Sequence, residues 1–404
     1  MTHTDRKGPG IARPKHPKKI HHPPSRPSTS TASTTPLTTP LPIEELVLRS
    51  ISSALEKTLR NSALPTIIQN IKHLLYEKKF LEVFEDETVL EAYASRWVPS
   101  RALAFREIMG ESEYVVRLLE GRKAGARSQG DVKGKGKGKE DEEEQGVQAA
   151  SPRNRVVCLG GGAGSELLAL VALVSAENEW TEFPKPVDQT GSKDDPDDSE
   201  DDDDDAKTDK VKRTAFPPCD VHMVDIGPYA PVVDKFTTSL RSTLISADFT
   251  ESFHQTDILS PDSDVLADLL ESASDLANPP LVTLFYTLSE LFLQSRPATI
   301  IFLDKLSRLA PKGTLFLIVD SANEEASALG VGKSGRSYSL GDVLDGLLCA
   351  LKPAPDGGEG PPKPRWKKLE GVDSRWFRLK AGLQEKYPVK LENSRYWSRL
   401  YRKE

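Results

Sequence analysis

Apolar positions are unevenly spread along this chain. Residues 1–40 are rich in Pro, Ser, Thr and Lys and poor in large apolar side chains, which predicts a disordered basic tail. From Ile43 the pattern becomes helical. Leu46, Ile51, Ala54, Leu55 and Leu59 recur on one face of a helix. Behind Pro65, which suits a first helical turn, Ile67, Ile68, Ile71, Leu74 and Leu75 form a second stripe. Two more helices are expected over residues 88–97 and 101–120, separated at Pro99, with Ser100 as the N-cap of the second. Residues 43–122 therefore read as a helical N-terminal module.

Residues 123–152 break the pattern. Lysine and glycine alternate from Lys133 to Lys139, and an acidic run from Glu140 to Glu144 follows, which predicts a flexible linker. From residue 153 to 404 the rhythm changes again. Short strand-like runs (Arg155–Leu159, Asp220–Val224, Phe253–Thr256, Leu281–Phe285, Thr314–Val319) alternate with helical stretches (Ser165–Glu177, 228–246, Ala298–Ala310, Leu340–Leu351). Strand then helix, repeated, is the mark of an α/β domain with a parallel sheet. One insertion interrupts it, an acidic and disordered stretch over 188–212. Twelve acids stand against two lysines between Asp188 and Asp209, with no aromatic side chain to bury.

That insertion changes how the charge reads. The chain of 404 residues has a net charge of −7, yet the window 188–209 alone carries −10, so the remainder is slightly basic. The first 26 residues hold seven Lys/Arg and four His, and residues 363–404 hold thirteen Lys/Arg against five acids. Basic ends of this kind suit a polyanionic partner. Within the tail, Lys15–Lys19 fits a nuclear import signal or a phosphate-binding arm. The longest apolar run, Leu167–Val174, falls well short of the ~18 residues of a membrane span, so no membrane partner is expected. The basic N-terminus lacks the apolar core of a secretory signal. Cys158, Cys219 and Cys349 lie too far apart for a metal site or a disulfide framework, which predicts a reducing compartment and no metal.

The chemistry concentrates in one run, Val156-Val157-Cys158-Leu159-Gly160-Gly161-Gly162-Ala163-Gly164-Ser165-Glu166. A strand feeds a glycine turn, and the turn feeds a helix. Gly160, Gly161, Gly162 and Gly164 let the backbone approach a ligand without a Cβ between them, and the helix start offers free N–H groups. Asp225 ends the second strand, where a carboxylate can accept the hydroxyls of a ribose. Asp257, followed by Ile258, ends the third strand, near where an adenine would lie. Both acids would also suit helix N-caps. The G-x-G-x-G spacing differs from the G-x-G-x-x-G of dinucleotide folds and resembles motif I of the class I S-adenosylmethionine-dependent methyltransferases.

Several further blocks resemble the fungal large-subunit rRNA uridine-N3 methyltransferases. They are Ser95-Arg96-Trp97-Val98-Pro99-Ser100-Arg101-Ala102-Leu103-Ala104, Thr287-Leu288-Ser289-Glu290-Leu291-Phe292, Leu317-Ile318-Val319-Asp320-Ser321-Ala322, Ser374-Arg375-Trp376-Phe377-Arg378-Leu379 and Tyr387-Pro388-Val389-Lys390-Leu391-Glu392-Asn393-Ser394-Arg395-Tyr396. The resemblance spans residues 43–404. It implies an α/β fold, a Rossmann-like class I methyltransferase sheet with an N-terminal α-helical extension. It implies S-adenosyl-L-methionine as cofactor, held by the glycine turn, Asp225, Asp257, Ile258 and Tyr286. It implies large-subunit rRNA or a pre-ribosome as partner, a monomer, and a place in the nucleus or nucleolus with the cytoplasm as a further compartment.

Attack by uridine N3 requires loss of the imide proton, hence a base or a cation that stabilises the imidate. Glu290 is the candidate base, and it would equally suit a solvated first-turn helix carboxylate that favours the helix dipole. Thr287 could hydrogen-bond a uracil carbonyl, and Tyr286 could stack on a base. Arg96, Arg101 and Arg106, with Trp366, Trp376, Tyr396 and Trp397, are candidates to hold RNA, although the aromatics would equally suit a core. Two alternatives stay open: a methyltransferase acting on a protein or small molecule, and a non-catalytic RNA-binding subunit.

Overall fold

A computed structural model of the protein describes residues 42–84, 87–121, 153–179, 216–243, 248–271, 278–322, 328–331, 336–352 and 363–404. The tail 1–40, the linker 123–152 and the acidic insertion 188–212 lie outside the described residues, as do the expectations placed on them.

Seven strands build the main sheet. In chain order they are β1 (Asn154–Leu159), β2 (Cys219–Asp225), β3 (Phe249–Gln255), β4 (Leu281–Phe285), β5 (Leu315–Ser321), β6 (Trp366–Phe377) and β7 (Ser394–Lys403). Their spatial order is β6-β7-β5-β4-β1-β2-β3. The first five strands run parallel, and β7 is antiparallel to both β5 and β6. The central strands β1, β4 and β5 are apolar on both faces, as a parallel sheet covered on both sides requires. Alternation along β1 sorts the core. Val156 and Cys158 pack into one layer, Val157 and Leu159 into the other. β1 lies between β2 and β4, so the connections leave β1 and β4 in opposite directions and a crevice opens at their C-terminal ends.

Helices cover both faces. The first layer holds α1 (Ile43–Ala54), α2 (Glu56–Leu59), α3 (Leu64–Tyr76), α4 (Phe80–Val83), α5 (Glu87–Glu111), α6 (Glu113–Leu119), α7 (Ser165–Glu179) and α8 (Ala230–Thr243). The N-terminal helices share one core with α7, α8 and the sheet. The second layer holds α9 (Val265–Glu271), α10 (Leu288–Gln294), α11 (Arg296–Leu309) and α12 (Leu340–Leu348). No helix among the described residues is long and apolar enough to cross a membrane.

One expectation fails instructively. Helix α5 does not stop at Pro99 but runs through it, and Ser100 is not an N-cap. A proline inside a helix deprives the carbonyl four residues earlier of its donor. Here that carbonyl belongs to Ser95, and the Tyr387 hydroxyl donates to it at 2.9 Å. The Ser100 hydroxyl instead accepts the Glu392 N–H at 2.9 Å, and buried Arg96 forms an ion pair with Glu392. Two sequence blocks nearly 300 residues apart therefore complete one another. The real N-cap is Ser112, which starts α6.

The tryptophans are also reassigned. Trp366 is fully buried and its indole N–H donates to Ser307 Oγ at 2.8 Å. Tyr396 and Trp397 are buried as well, which leaves Trp376 exposed. Core packing, not RNA, accounts for three of the four aromatics.

Removing the Tyr387 hydroxyl would leave the Ser95 carbonyl buried without a donor. Tyr387→Phe is therefore expected to lower the unfolding free energy by about 1–3 kcal/mol, read from urea denaturation. An unchanged midpoint would show that the Pro99 helix does not depend on this bond.

Candidate active site

The crevice at the ends of β1 and β4 is a cavity of about 530 Å³. Its floor is the glycine turn. Gly160 has φ of +72°, a conformation that side chains avoid, and a Cβ there would run into Thr287. Gly162 lies behind the floor. Its N–H donates to Asp225 Oδ2 at 3.0 Å, and a Cβ would overlap the Tyr229 ring and the Asp225 carboxylate. Gly164, with φ of +78°, completes the turn into α7. Gly160 and Gly161 line the cavity directly, whereas Gly162 and Gly164 shape it from behind.

Asp225 is held by two backbone N–H groups, since its other oxygen accepts the Gly227 N–H at 2.9 Å. Burial nevertheless pushes its carboxyl up to about 6, against those hydrogen bonds. Asp257 and Ile258 line the same cavity two and three residues beyond the end of β3. Asp257 Oδ1 also accepts the Leu259 N–H at 2.9 Å, so it shapes its own turn.

The opposite wall comes from β4 and α10. Tyr286 adopts φ of +55°, a strained conformation for a residue with a side chain, and its N–H donates to the Val319 carbonyl at 2.7 Å. Its ring packs against Phe105 and under the Arg101 guanidinium. Thr287 lines the cavity too, and its hydroxyl donates to the Phe285 carbonyl at 3.0 Å, which engages its hydrogen in the turn. Glu290 lines the cavity from the first turn of α10, and its surroundings push its carboxyl up to about 8 through burial, with Arg101 opposing.

Helix α5 supplies a further wall, of which sequence reasoning named Arg101 but missed Tyr93 and Phe105. Tyr93, Arg101 and Phe105 project from it into the cavity wall. Arg101 donates to the Tyr93 hydroxyl at 2.7 Å and lies over the rings of Tyr93 and Tyr286. It is thus an internal cation. Arg96 and Arg106 are also tied inward, to Glu392 and Glu44, whereas Arg101 lines the cavity. Glu166 is a further missed residue. It is buried at the start of α7, burial raises its carboxyl to about 8, and its Oε1 has no hydrogen-bond partner. The signal lay in the second helical position after the glycine turn, in the first turn of α7, where an acid has a ready role at the positive helix end.

These features fit an adenosyl cofactor that carries positive charge. Bare glycine backbone, a carboxyl at the end of β2, an orphaned buried Glu166 oxygen and an aromatic wall surround one cavity. The family described as "Putative SAM-dependent methyltransferase" matches residues 51–402. The 25S rRNA (uridine(2843)-N(3))-methyltransferase of Saccharomyces cerevisiae is 24% identical over 345 residues, which cover 84% of this chain and 78% of that protein. An O-methyltransferase family protein from Burkholderia thailandensis aligns with a TM-score of 0.36 and 11% identity, over 83% of this chain and 71% of the other. The N-methyltransferase NodS from Bradyrhizobium japonicum, solved with S-adenosyl-L-homocysteine, aligns with a TM-score of 0.27 and 9% identity, over 62% of this chain and 78% of the other. Since the matched span takes in every residue lining the cavity, from Lys78 to Gln294, the chain belongs to this S-adenosylmethionine-dependent methyltransferase family.

Proposed function

We propose that the protein methylates N3 of a uridine in large-subunit rRNA. The observation that carries this reading is the juxtaposition of Glu290 and Arg101 at one cavity wall, in a chain similar over most of its length to a uridine-N3 methyltransferase.

When bound, S-adenosylmethionine supplies an activated methyl group. The protein's own residues do the rest. Asp225 and the glycine turn fix a ribose at the end of β2. The strained Tyr286 and the turn built by Thr287 lead into α10, whose first turn carries Glu290 at the cavity wall. A carboxyl raised to about 8 is a stronger base than an ordinary glutamate, which suits removal of a weakly acidic imide proton. Arg101 stays charged and faces the same wall, where it would stabilise the negative charge that spreads onto the uracil carbonyls. Phe105 and Tyr93 exclude water from that side. N3 is hidden in a base pair, so the target must be unpaired or flipped out.

In this reading, the helical module 43–122 and the methyltransferase region 153–404 act together, because α5 provides the wall against which the base would rest. The enzyme acts as a monomer on rRNA or a pre-ribosome, during ribosome assembly in the nucleus or nucleolus. Nucleoside mass spectrometry on large-subunit rRNA from cells lacking the gene tests it. Loss of 3-methyluridine is expected, and unchanged rRNA would redirect the search to a protein or small-molecule substrate.

Two further outcomes are expected. Asp225→Asn should weaken S-adenosylmethionine binding by roughly tenfold or more in calorimetry, since a carboxylate hydrogen bond contributes about 1.5–3 kcal/mol. Glu290→Gln should keep cofactor binding and lose on the order of 10²–10⁴ in methyl transfer. The sign of the pH effect follows from the raised carboxyl. Below about 8 Glu290 is protonated and cannot accept a proton, so wild-type kcat/KM should rise with pH and level off above that value. A profile flat from pH 6 to 9 would remove Glu290 from the role of base.

A further inference from the structure

Trp376 stands apart from the other described tryptophans. Trp366 and Trp397 are core, and Trp97 stacks on Tyr93 with ring centroids 4.8 Å apart. Trp376 is 51% exposed, at the C-terminal end of the edge strand β6. β6 runs in the same direction as β5, because both are antiparallel to β7. Its end therefore points the same way as the ends of β1 and β4 that form the cavity.

The register shows how far Trp376 is from the cavity. Phe285 of β4 pairs with Val319 of β5, Ser321 with Tyr396 of β7, and Arg395 with Trp376 of β6. Three strand spacings of about 4.8 Å across the sheet and an advance of three residues, ~10 Å, along the strands place Trp376 roughly 17 Å from Phe285, which precedes Tyr286 of the cavity wall. A few nucleotides of single strand bridge that distance.

The surroundings of Trp376 suit a nucleic acid. The Arg378 guanidinium lies 5.4 Å from the centre of the indole ring, and Arg395 sits across the strand pair. Two of the nearby acids are already paired, and a third, Glu107, has its carboxyl pushed up by burial and by Glu111. Arg375 pairs with Glu111 at 2.8 Å, and buried Arg399 pairs with Asp373 at 2.5 Å. An exposed indole flanked by Arg378 and Arg395 presents a π-face for a base and positive charge for phosphates.

We propose that Trp376 and Arg378 form a stacking platform for an unpaired base that neighbours the methylated nucleotide on the same RNA strand. This rests on the reading of RNA as the substrate. The sheet edge then holds the strand while the target base enters the cavity beside Tyr286 and Glu290.

Fluorescence anisotropy of the full-length protein with a labelled, uridine-rich single-stranded RNA tests this, at low salt and saturating S-adenosylmethionine. Trp376→Ala is expected to weaken RNA binding by about 5- to 150-fold, the usual effect of losing one base–aromatic stack. Trp376→Phe should recover most of the affinity, and both variants should bind S-adenosylmethionine like the wild type, which shows that they are folded. Wild-type RNA affinity in Trp376→Ala would overturn the platform and leave the exposed indole to a protein partner. If the wild type methylates rRNA in that case, the reading of the active site stands alone. If the wild type neither binds nor methylates RNA, both fall.

Discussion

Helix α5 reaches the cavity only because it continues past Pro99. A helix broken there would separate Tyr93 from Arg101 and Phe105, which lie on either side of the proline and wall the same cavity. The local cost of the proline is one unpaired carbonyl, and the Tyr387 hydroxyl meets it from the far end of the chain. Ser100 and Arg96 add two more links to the same segment through Glu392. On the next turns, Glu44 of α1 receives both Arg106 and Lys380. The C-terminal segment thus acts as a brace that sets the helix, and the helix sets the cation.

That cation organises the electrostatics of the cavity. Glu166, Asp225 and Glu290 all lose hydration and are all pushed above the normal carboxylate range. Asp320 is pushed the same way by burial, although two backbone N–H groups and the Ser289 hydroxyl donate to it. Arg101 opposes the shift at Glu166, Glu290 and Asp320. An arginine keeps its charge in such a place, whereas a lysine could lose its proton to the surroundings. Glu166, Asp225 and Glu290 are thereby poised to change protonation near neutral pH beside a charge that does not change.

The sequence shows some of this plainly and hides the rest for physical reasons. The glycine turn, Asp225 and the apolar strands β1, β4 and β5 are legible because each obeys a local rule of backbone freedom or burial. Pro99 obeys a local rule too, and here that rule is misleading. A residue nearly 300 positions away supplies the missing donor, and no local pattern carries that information. Arg96, Arg101 and Arg106 look like surface charges because arginine usually is one, and their acidic or aromatic partners become visible only when the chain is folded. The same holds for Trp366, whose burial depends on Ser307 of a distant helix. Trp376 differs from it only in position, at the open end of an edge strand instead of its start.

The hairpin of β6 and β7 joins these themes. It attaches to the sheet through a continuous ladder along β5, from Leu315 to Ser321. The segment between its strands carries Tyr387 and braces α5, and its tip near Arg395 carries Trp376. The exposed end of β6 at Trp376 and the wall of the cavity are therefore fixed to one hydrogen-bonded frame, not to separate loops. Elements of a sheet hold their spacing far more closely than loops do, and methyl transfer tolerates little misplacement of the attacking atom. On the proposed reading, a substrate strand gripped at Trp376, three strand spacings from β4, would be held in register with Glu290 and Arg101 by the sheet itself.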